Sequence, residues 1–316
     1  MIMYNWVREK KLRIFKNFFS YFKRKIGLST IERELAMLRQ NINLLLAEQE
    51  IQQEIQYKIN QLLYDVLIKY RQCTTSENMN LNNKIACKRL ALYEPIEFVL
   101  EKLRNEAPVA FEVWQQAFIN GYESYIGHPP DSCSVSGNVG AMVFKQFCEG
   151  RLVGNVLDIG CGNMPVPSYL DGYPTENIVG IDPLLPSSPH PFCFVQGYME
   201  YLPFADDSFE TVIMATSLDH ALIPERALNE AWRVLKPMGK LLVWQGISEN
   251  CIGSFEDYNP FTKESIFPID KYHLFHFSKR SLIDFLHKKF VIMKMQYPEE
   301  ANHVMIEALK NQKPTV

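Results

Sequence analysis

The 316-residue chain lacks several features that would restrict its class. Its seven cysteines are scattered and contain no C-x-x-C pair, so neither a disulfide framework nor a zinc finger is expected. No apolar run approaches the roughly 20 residues that cross a bilayer, and the N-terminus has no signal-peptide pattern. The net charge of −3 argues against a protein whose main partner is nucleic acid. We therefore expect a cytoplasmic, globular protein that acts on small molecules.

The first 27 residues have almost no acidic side chains. Within residues 6–27, WVREKKLRIFKNFFSYFKRKIG, Glu9 is the only acid, whereas eight positions are Lys or Arg. Aromatic residues recur at helical spacing in the same stretch, at Phe15, Phe18, Phe19 and Phe22. This pattern predicts a basic amphipathic helix over 1–27 that contacts anionic membrane at the inner face. The alternative is a helix that packs on its own domain or on a partner protein.

Residues 28–70 contain neither proline nor glycine. Apolar residues recur there at alternating steps of three and four, at Ile31, Leu35, Leu38, Ile42 and Leu45. That heptad pattern predicts a coiled-coil helix over 28–72 and therefore a homo-oligomer. A hairpin that folds back on the globular domain is the alternative.

The remainder, 73–316, reads as one domain that begins with a polar linker at 73–84. It divides into a helical lead-in at 85–149, a core at 150–250, and a last part at 251–316 that contains an insertion and a closing hairpin. In the core, apolar strand candidates alternate with helical connections, which is typical of a parallel sheet. We expect an α/β, Rossmann-like, mainly parallel sheet with helices on both faces and an antiparallel C-terminal hairpin.

The stretch NVLDIGCGNMPVPSYL, residues 155–170, ends its first strand on Asp158 and then places two glycines two residues apart. Gly160 and Gly162 have no Cβ, so the backbone can turn sharply and a ligand can approach it closely. Asp182 ends the next strand candidate, about 20 residues further on, where a carboxylate accepts hydrogen bonds from ribose hydroxyls. The pattern predicts a cofactor that contains adenosine.

The stretch lacks the third glycine of a dinucleotide site, because Pro165 occupies that place in G-x-G-x-x-G. The carboxylate of Asp158 would also repel a pyrophosphate, whereas it would attract an ammonium or sulfonium group. S-adenosylmethionine carries both cations. The residues therefore favour S-adenosylmethionine over NAD.

These motifs resemble the class I S-adenosylmethionine-dependent methyltransferases. VLDIGCGN matches the first cofactor motif, GIDP the ribose acid, and the long block from Tyr201 to Trp244 the later strands. The resemblance implies methionine contacts at Asp158, Gly160 and Gly162, a ribose contact at Asp182, adenine contacts at Met199 and Glu200, and a methyl-transfer face from Ser217 to His220. Met164 and Tyr198 depart from the usual pattern. The wording is also similar to methyltransferases associated with bacterial surface-glycan assembly.

His220 follows the fourth strand, which makes it the best-placed general base for a hydroxyl acceptor. The alternative is that it only binds cofactor or caps the next helix. His273 and His276 are candidates to line the acceptor pocket, together with Tyr122 and Tyr125. Because His273 and His276 are three residues apart with no third ligand nearby in the sequence, no metal is expected.

Three functions are compatible with these observations. The first is methyl transfer from S-adenosylmethionine, with a hydroxyl of a glycan or lipid-linked sugar as acceptor. The second is an NAD-dependent oxidoreductase. The third is a coiled-coil scaffold whose cofactor domain has degenerated.

Overall fold

The computed structural model describes residues 94–127, 138–184, 186, 189–249, 253–262, 270–298 and 302–311. The predicted basic helix at 1–27 and coiled coil at 28–72 lie outside these residues. None of the described helices is long and apolar enough to span a membrane.

The described helices and strands follow one another in the order expected of an α/β domain. Helices α1 (Ile96–Glu106), α2 (Pro108–Gly127) and α3 (Val139–Cys148) precede the sheet. The sheet begins with β1 (Val156–Ile159), β2 (Ile178–Asp182), β3 (Cys193–Gln196) and β4 (Phe209–Ala215). The chain continues with α4 (Pro224–Val234), β5 (Leu235–Gly246), α5 (Lys279–His287), β6 (Phe290–Gln296) and β7 (His303–Lys310).

The strands form one sheet in the order β3-β2-β1-β4-β5-β7-β6. Strands β1 to β5 pair in parallel, whereas β7 is antiparallel to both β5 and β6. This confirms the predicted Rossmann-like sheet with an antiparallel C-terminal hairpin. The order in which strands are added reverses between β1 and β4, and in such sheets ligands bind beyond the carboxyl ends of the strands at that point.

Helices cover both faces of the sheet. Successive residues of a strand point to opposite faces, so neighbouring residues pack in different clusters. Leu157 and Val212 belong to the apolar cluster that includes α1, α2, α4 and α5. Val156 and Ile213, each one residue away in sequence, belong to the cluster on the other face, which includes α3. The strands that end at the ligand-binding edge are therefore packed against an apolar cluster on each face.

Local sequence explains where several helices begin. The Asn138 side chain accepts a hydrogen bond from the backbone nitrogen of Ala141 and so caps α3. Helix α4 begins with Pro224, whose fixed φ suits the first helical turn. At α5, Ser278 and Ser281 form a reciprocal capping box.

The connection from β1 to β2 differs from the helix expected between successive strands. It contains two 3-10 turns, at Ser168–Leu170 and Thr175–Asn177, and no α-helix. Pro165, Pro167 and Pro174 explain the difference, since each removes a backbone donor and restricts the residue before it. No helix N-terminus is therefore aimed at the ligand site from the glycine turn.

Candidate active site

A pocket opens at the carboxyl ends of β1, β2 and β4, where the strand order reverses. Its walls come from α2, from the glycine turn, from the ends of the strands and from the loop before α5. The lining residues include Trp114, Phe118, Gly160, Gly162, Tyr169, Asp182, Leu184, Tyr198, Met199, Glu200, Thr216, Ser217, His220, Tyr272 and Leu274.

The glycine turn packs tightly against the end of β4. Gly160 has a φ of +79°, and a Cβ added there would lie 2.4 Å from the Cβ of Ser217. Ser217 in turn donates a hydrogen bond from Oγ to the carbonyl oxygen of Ile159, at 2.7 Å. Only glycine suits this position, because it has both a left-handed backbone and no room for a side chain.

Asp182 ends β2 with a buried carboxylate that also lines the pocket. One oxygen accepts from the backbone nitrogen of Gly162 and the other from that of Leu184, each at 2.8 Å. Burial raises the pKa of Asp182 to about 6, and these two hydrogen bonds oppose the rise. Each carboxylate oxygen can accept a further hydrogen bond, so the group suits the two hydroxyls of a ribose.

Asp158 is completely buried and is not among the residues that line the pocket. Its Oδ2 accepts a hydrogen bond from the hydroxyl of Tyr169 at 2.9 Å, and Tyr169 does line the pocket. Burial raises the pKa of Asp158 to about 7. Asp158 therefore lies behind the pocket lining and is linked to it through Tyr169, whereas the sequence predicted a residue at the pocket surface.

Met199 and Glu200, the predicted adenine contacts, both line the pocket, and Glu200 also makes hydrogen bonds to the backbone. Its Oε1 accepts hydrogen bonds from the backbone nitrogens of Leu222 at 2.6 Å and Ile223 at 3.1 Å, just before α4. That carboxylate thereby holds the segment leading into α4 against the pocket.

An aromatic wall from α2 faces this side of the pocket. The ring of Trp114 lies 5.1 Å from that of Phe118 and 5.5 Å, edge to face, from that of Tyr198. These tilted and edge-to-face rings provide an apolar, aromatic surface against which a base can pack.

His220 lines the opposite side of the pocket at the end of a short 3-10 turn, Leu218–His220. Its Nδ1 lies 3.0 Å from the carbonyl oxygen of Tyr272. A carbonyl only accepts, so Nδ1 carries the proton and Nε2 keeps its lone pair. Burial lowers the pKa of His220, although the nearby Asp219 opposes this. The imidazole is therefore neutral at pH 7.

The structure brings His273 and His276 together near His220, but neither lines the pocket directly. The ring centroids of His220 and His273 are 4.6 Å apart, and those of His273 and His276 are 5.1 Å apart. Tyr122 is buried and also does not line the pocket. Tyr125 lies in α2, but its side chain is outside the described part of the chain.

Three residues at or beside the pocket were not predicted from the sequence. Tyr169 follows the prolines and has no motif that predicts its bond to Asp158. Thr216 lines the pocket with a φ of 50°, a conformation that is rare for a residue with a branched Cβ. Asp270 organises the loop of His273, and its position before the K-Y-H run was the one available signal.

The charges of the pocket fit S-adenosylmethionine better than a dinucleotide. Two carboxylates, Asp182 and Glu200, line it, and Asp158 lies behind Tyr169. Among the described residues that line the pocket there is no Lys or Arg. A pyrophosphate would find no cationic partner here, whereas an ammonium or sulfonium group would be attracted. The aromatic wall and Asp182 suit the adenosine.

Strand order, glycine turn and ribose carboxylate together define a Rossmann-like domain that binds a nucleoside cofactor. Residues 157–243 match the family described as "Methyltransferase domain". These residues therefore form a class I S-adenosylmethionine-dependent methyltransferase domain, as the motifs predicted.

The curated relatives match only part of this protein. The Ubiquinone/menaquinone biosynthesis C-methyltransferase UbiE of Haemophilus ducreyi is 44% identical over 50 residues, which is 16% of this chain and 19% of that protein. UbiE of Bartonella bacilliformis is 32% identical over 110 residues, 34% of this chain and 38% of that protein. The protein YafE of Escherichia coli, described as uncharacterized, is 47% identical over 53 residues, 17% of this chain and 26% of that protein.

Solved structures resemble the domain at lower identity. A Burkholderia thailandensis 1,6-didemethyltoxoflavin-N1-methyltransferase, solved with S-adenosylhomocysteine, is 16% identical, with a TM-score of 0.48. The match covers 63% of this chain and 88% of that one. The [4+2]-cyclase SpnF is 18% identical with a TM-score of 0.47, covering 65% of this chain and 97% of that one.

Proposed function

We propose that the protein transfers a methyl group from S-adenosylmethionine to a hydroxyl oxygen of a glycan or a lipid-linked sugar. The observation that carries the proposal is one pocket that holds a ribose-binding carboxylate, Asp182, and a neutral imidazole, His220. The bound cofactor supplies an electrophilic methyl group on sulfur.

The residues of this chain would act mainly by positioning. Asp182 and the aromatic wall orient the adenosine, while the glycine turn allows the methionine part to approach the backbone. His220 faces the pocket with Nδ1–H fixed by Tyr272, so its free Nε2 can accept the proton of an acceptor hydroxyl. The aromatic and aliphatic lining keeps water from the reacting atoms.

The direct test uses cofactor binding and methyl transfer in sequence. Isothermal titration of the full-length protein should show one S-adenosylmethionine site, with NAD as the comparison ligand. Incubation with methyl-labelled cofactor and a panel of hydroxylated sugars, nucleotide sugars and lipid-linked sugars should then place label on oxygen. Binding of NAD in preference to S-adenosylmethionine would favour the oxidoreductase. Cofactor binding without transfer to any panel member would count against a sugar hydroxyl as acceptor.

A second candidate is methylation of a ring carbon. The relatives named UbiE are C-methyltransferases of ubiquinone and menaquinone biosynthesis, and an aromatic acceptor could pack against Tyr272, which lines the pocket beside His220. Adding quinols and phenols to the acceptor panel separates the two. Label on carbon rather than oxygen would replace the first proposal by this one.

A further inference from the structure

The structure assigns a binding site for a divalent first-row transition metal to Asp219, His220 and His273. One ligand atom from each of these residues lies within 4.8 Å of the others. Two imidazoles and one carboxylate are a donor set for Zn²⁺, Fe²⁺ or Co²⁺, whereas Mg²⁺ and Ca²⁺ prefer oxygen ligands alone. The sequence-based expectation of no metal rested on the scattered cysteines and on the spacing of His273 and His276, and it did not include the ligands that follow β4.

Two loops that are far apart in sequence build this site. The 3-10 turn after β4 supplies Asp219 and His220, and the segment before α5 supplies His273. The backbone nitrogen of Leu274 donates to the carbonyl oxygen of Asp219 at 3.4 Å, and His220 bonds to the carbonyl of Tyr272. The two loops are therefore held together by their own hydrogen bonds.

The hydrogen bonds of His220 and His273 use Nδ1 of each ring and so leave Nε2 for a metal. His220 donates its Nδ1–H to the Tyr272 carbonyl, and His273 Nδ1 lies 2.8 Å from Oδ2 of Asp270. Since both partners are acceptors, the neutral form of each imidazole has its proton on Nδ1 and its lone pair on Nε2. Metal-binding histidines nearly always donate their other N–H to a carbonyl or carboxylate in this way.

Asp219 provides an independent indication. Its side chain is 7% exposed, its Oδ2 lies 3.8 Å from Nε2 of His273, and its Oδ1 has no hydrogen-bond partner among the described residues. A buried carboxylate oxygen without a partner is costly, and a cation held between Asp219 and the imidazoles would remove that cost.

Asp270 holds His273 in place from the outer side. Its Oδ1 accepts from the backbone nitrogens of Tyr272 at 2.6 Å and His273 at 2.8 Å, while its Oδ2 bonds the imidazole. A second candidate set, Asp270, His273 and His276, shares His273 with the first. Only the first set includes a residue that lines the cofactor pocket, His220, so it would place the cation beside a bound acceptor.

The cation would change the role of His220. With a metal bound, the lone pair of Nε2 is a ligand, and an acceptor oxygen would meet the cation, which lowers the pKa of bound hydroxyls. Metal binding itself does not depend on the proposed methyl transfer, because neither cofactor nor acceptor takes part in it.

The test uses untagged, chelator-treated full-length protein. It is titrated with Co²⁺, whose binding is monitored by d–d absorption, and separately with Zn²⁺, whose binding is measured by calorimetry. We expect one equivalent bound with a Kd of about 10 µM or tighter. His220→Gln and Asp219→Asn should each weaken binding by about 100-fold or more, beyond the range for outer contacts. His276→Gln and the surface variant His287→Gln should leave the affinity unchanged.

Three results would overturn the assignment. The first is that the protein binds neither cation stoichiometrically. The second is that His276→Gln abolishes binding while His220→Gln retains it, which would place the ion in the other set. The third is that His287→Gln weakens binding as much as His220→Gln, which would indicate an adventitious ion. A parallel titration of each variant with S-adenosylmethionine reports whether the cofactor pocket is intact. Failure of the metal site and failure of the methyltransferase proposal are thereby distinguished.

Discussion

His220 Nδ1 lies 3.0 Å from the carbonyl oxygen of Tyr272, and this hydrogen bond joins the end of β4 to the loop before α5. The two residues are 52 positions apart, yet both line the same pocket. Because the bond fixes the proton on Nδ1, Nε2 is left either to accept a proton from an acceptor hydroxyl or, with a cation bound, to act as a ligand. The chemistry of the pocket therefore depends on a contact between two loops rather than on one motif.

Replacing His220 should affect turnover more than cofactor binding. We expect His220→Ala to lower kcat by roughly 10²- to 10⁴-fold, the usual contribution of a general acid or base, with little change in S-adenosylmethionine affinity. Comparison of kcat with the calorimetric Kd tests this, with His287→Ala as the surface control. An equal loss of cofactor binding would contradict a role in transfer.

The same residue predicts the pH dependence. Burial lowers the pKa of His220 below its ordinary value of 6.5, and the imidazole works only when neutral. Activity should therefore be retained at pH 7 and fall as the pH decreases below about 6.5. A pH profile of kcat/KM tests this, and an acid limb centred above pH 7 would contradict it.

Asp182 should determine cofactor affinity. We expect Asp182→Ala to weaken S-adenosylmethionine binding by about 1.5 to 3 kcal/mol, the value of hydrogen bonds to a charged group. Hydroxyl donors favour the ionised carboxylate, and burial raises its pKa to about 6, so wild-type affinity should decrease below that pH. Calorimetry across pH measures both effects, with the exposed Asp171→Ala as control. A folded Asp182→Ala protein with unchanged affinity would remove the cofactor assignment.

Much of this site could be predicted from residues that are close in sequence. The glycine turn and Asp182 follow from the spacing within 155–182, because the ends of neighbouring parallel strands meet at one edge. The contact of Asp219 with His273 could not be predicted, since it depends on how Asp270 folds its own loop. The bond from Tyr169 to Asp158 was missed for a related reason: prolines replaced the expected helix by turns.

Asp158 should reduce stability at neutral and alkaline pH. Burial raises its pKa from 3.8 to about 7, so the folded state binds this proton more tightly than the unfolded state does. The protonated carboxyl of Asp158 therefore contributes its full stability below the unfolded pKa of 3.8, and this contribution is lost as the pH rises through about 7. Asp158→Asn keeps an acceptor for Tyr169 but cannot ionise.

We therefore expect Asp158→Asn to stabilise the cofactor-free protein at pH 8, by up to about 4 kcal/mol for a shift of about three pKa units. The gain should shrink toward pH 5. Urea unfolding at the two pH values measures it, with the exposed Glu176→Gln as control. A gain of the same size at pH 5 and pH 8 would show that ionisation is not its cause.

Gly160 tests the fit of the turn. Gly160→Ala would bring a Cβ to 2.4 Å from that of Ser217, whereas Gly172→Ala has a similar φ of +83° with no atom within 4 Å. The left-handed backbone costs both variants about 1 to 2 kcal/mol. The clash should cost Gly160→Ala a further 1 to 3 kcal/mol, roughly the penalty of overpacking, together with cofactor affinity. Equal unfolding free energies for the two variants would contradict tight packing here.

The N-terminal sequence predicts membrane docking by an oligomer. Each Lys or Arg of residues 1–27 near an anionic surface should contribute roughly 1 kcal/mol, and salt should screen this attraction. If residues 28–70 join protomers, several such segments bind together with greater avidity. In vesicle sedimentation, deleting 1–27 should abolish binding to anionic vesicles, and deleting 28–70 should weaken it and give a smaller oligomer by light scattering. Full-length protein that ignores anionic vesicles at low salt would show that the basic segment packs on protein instead.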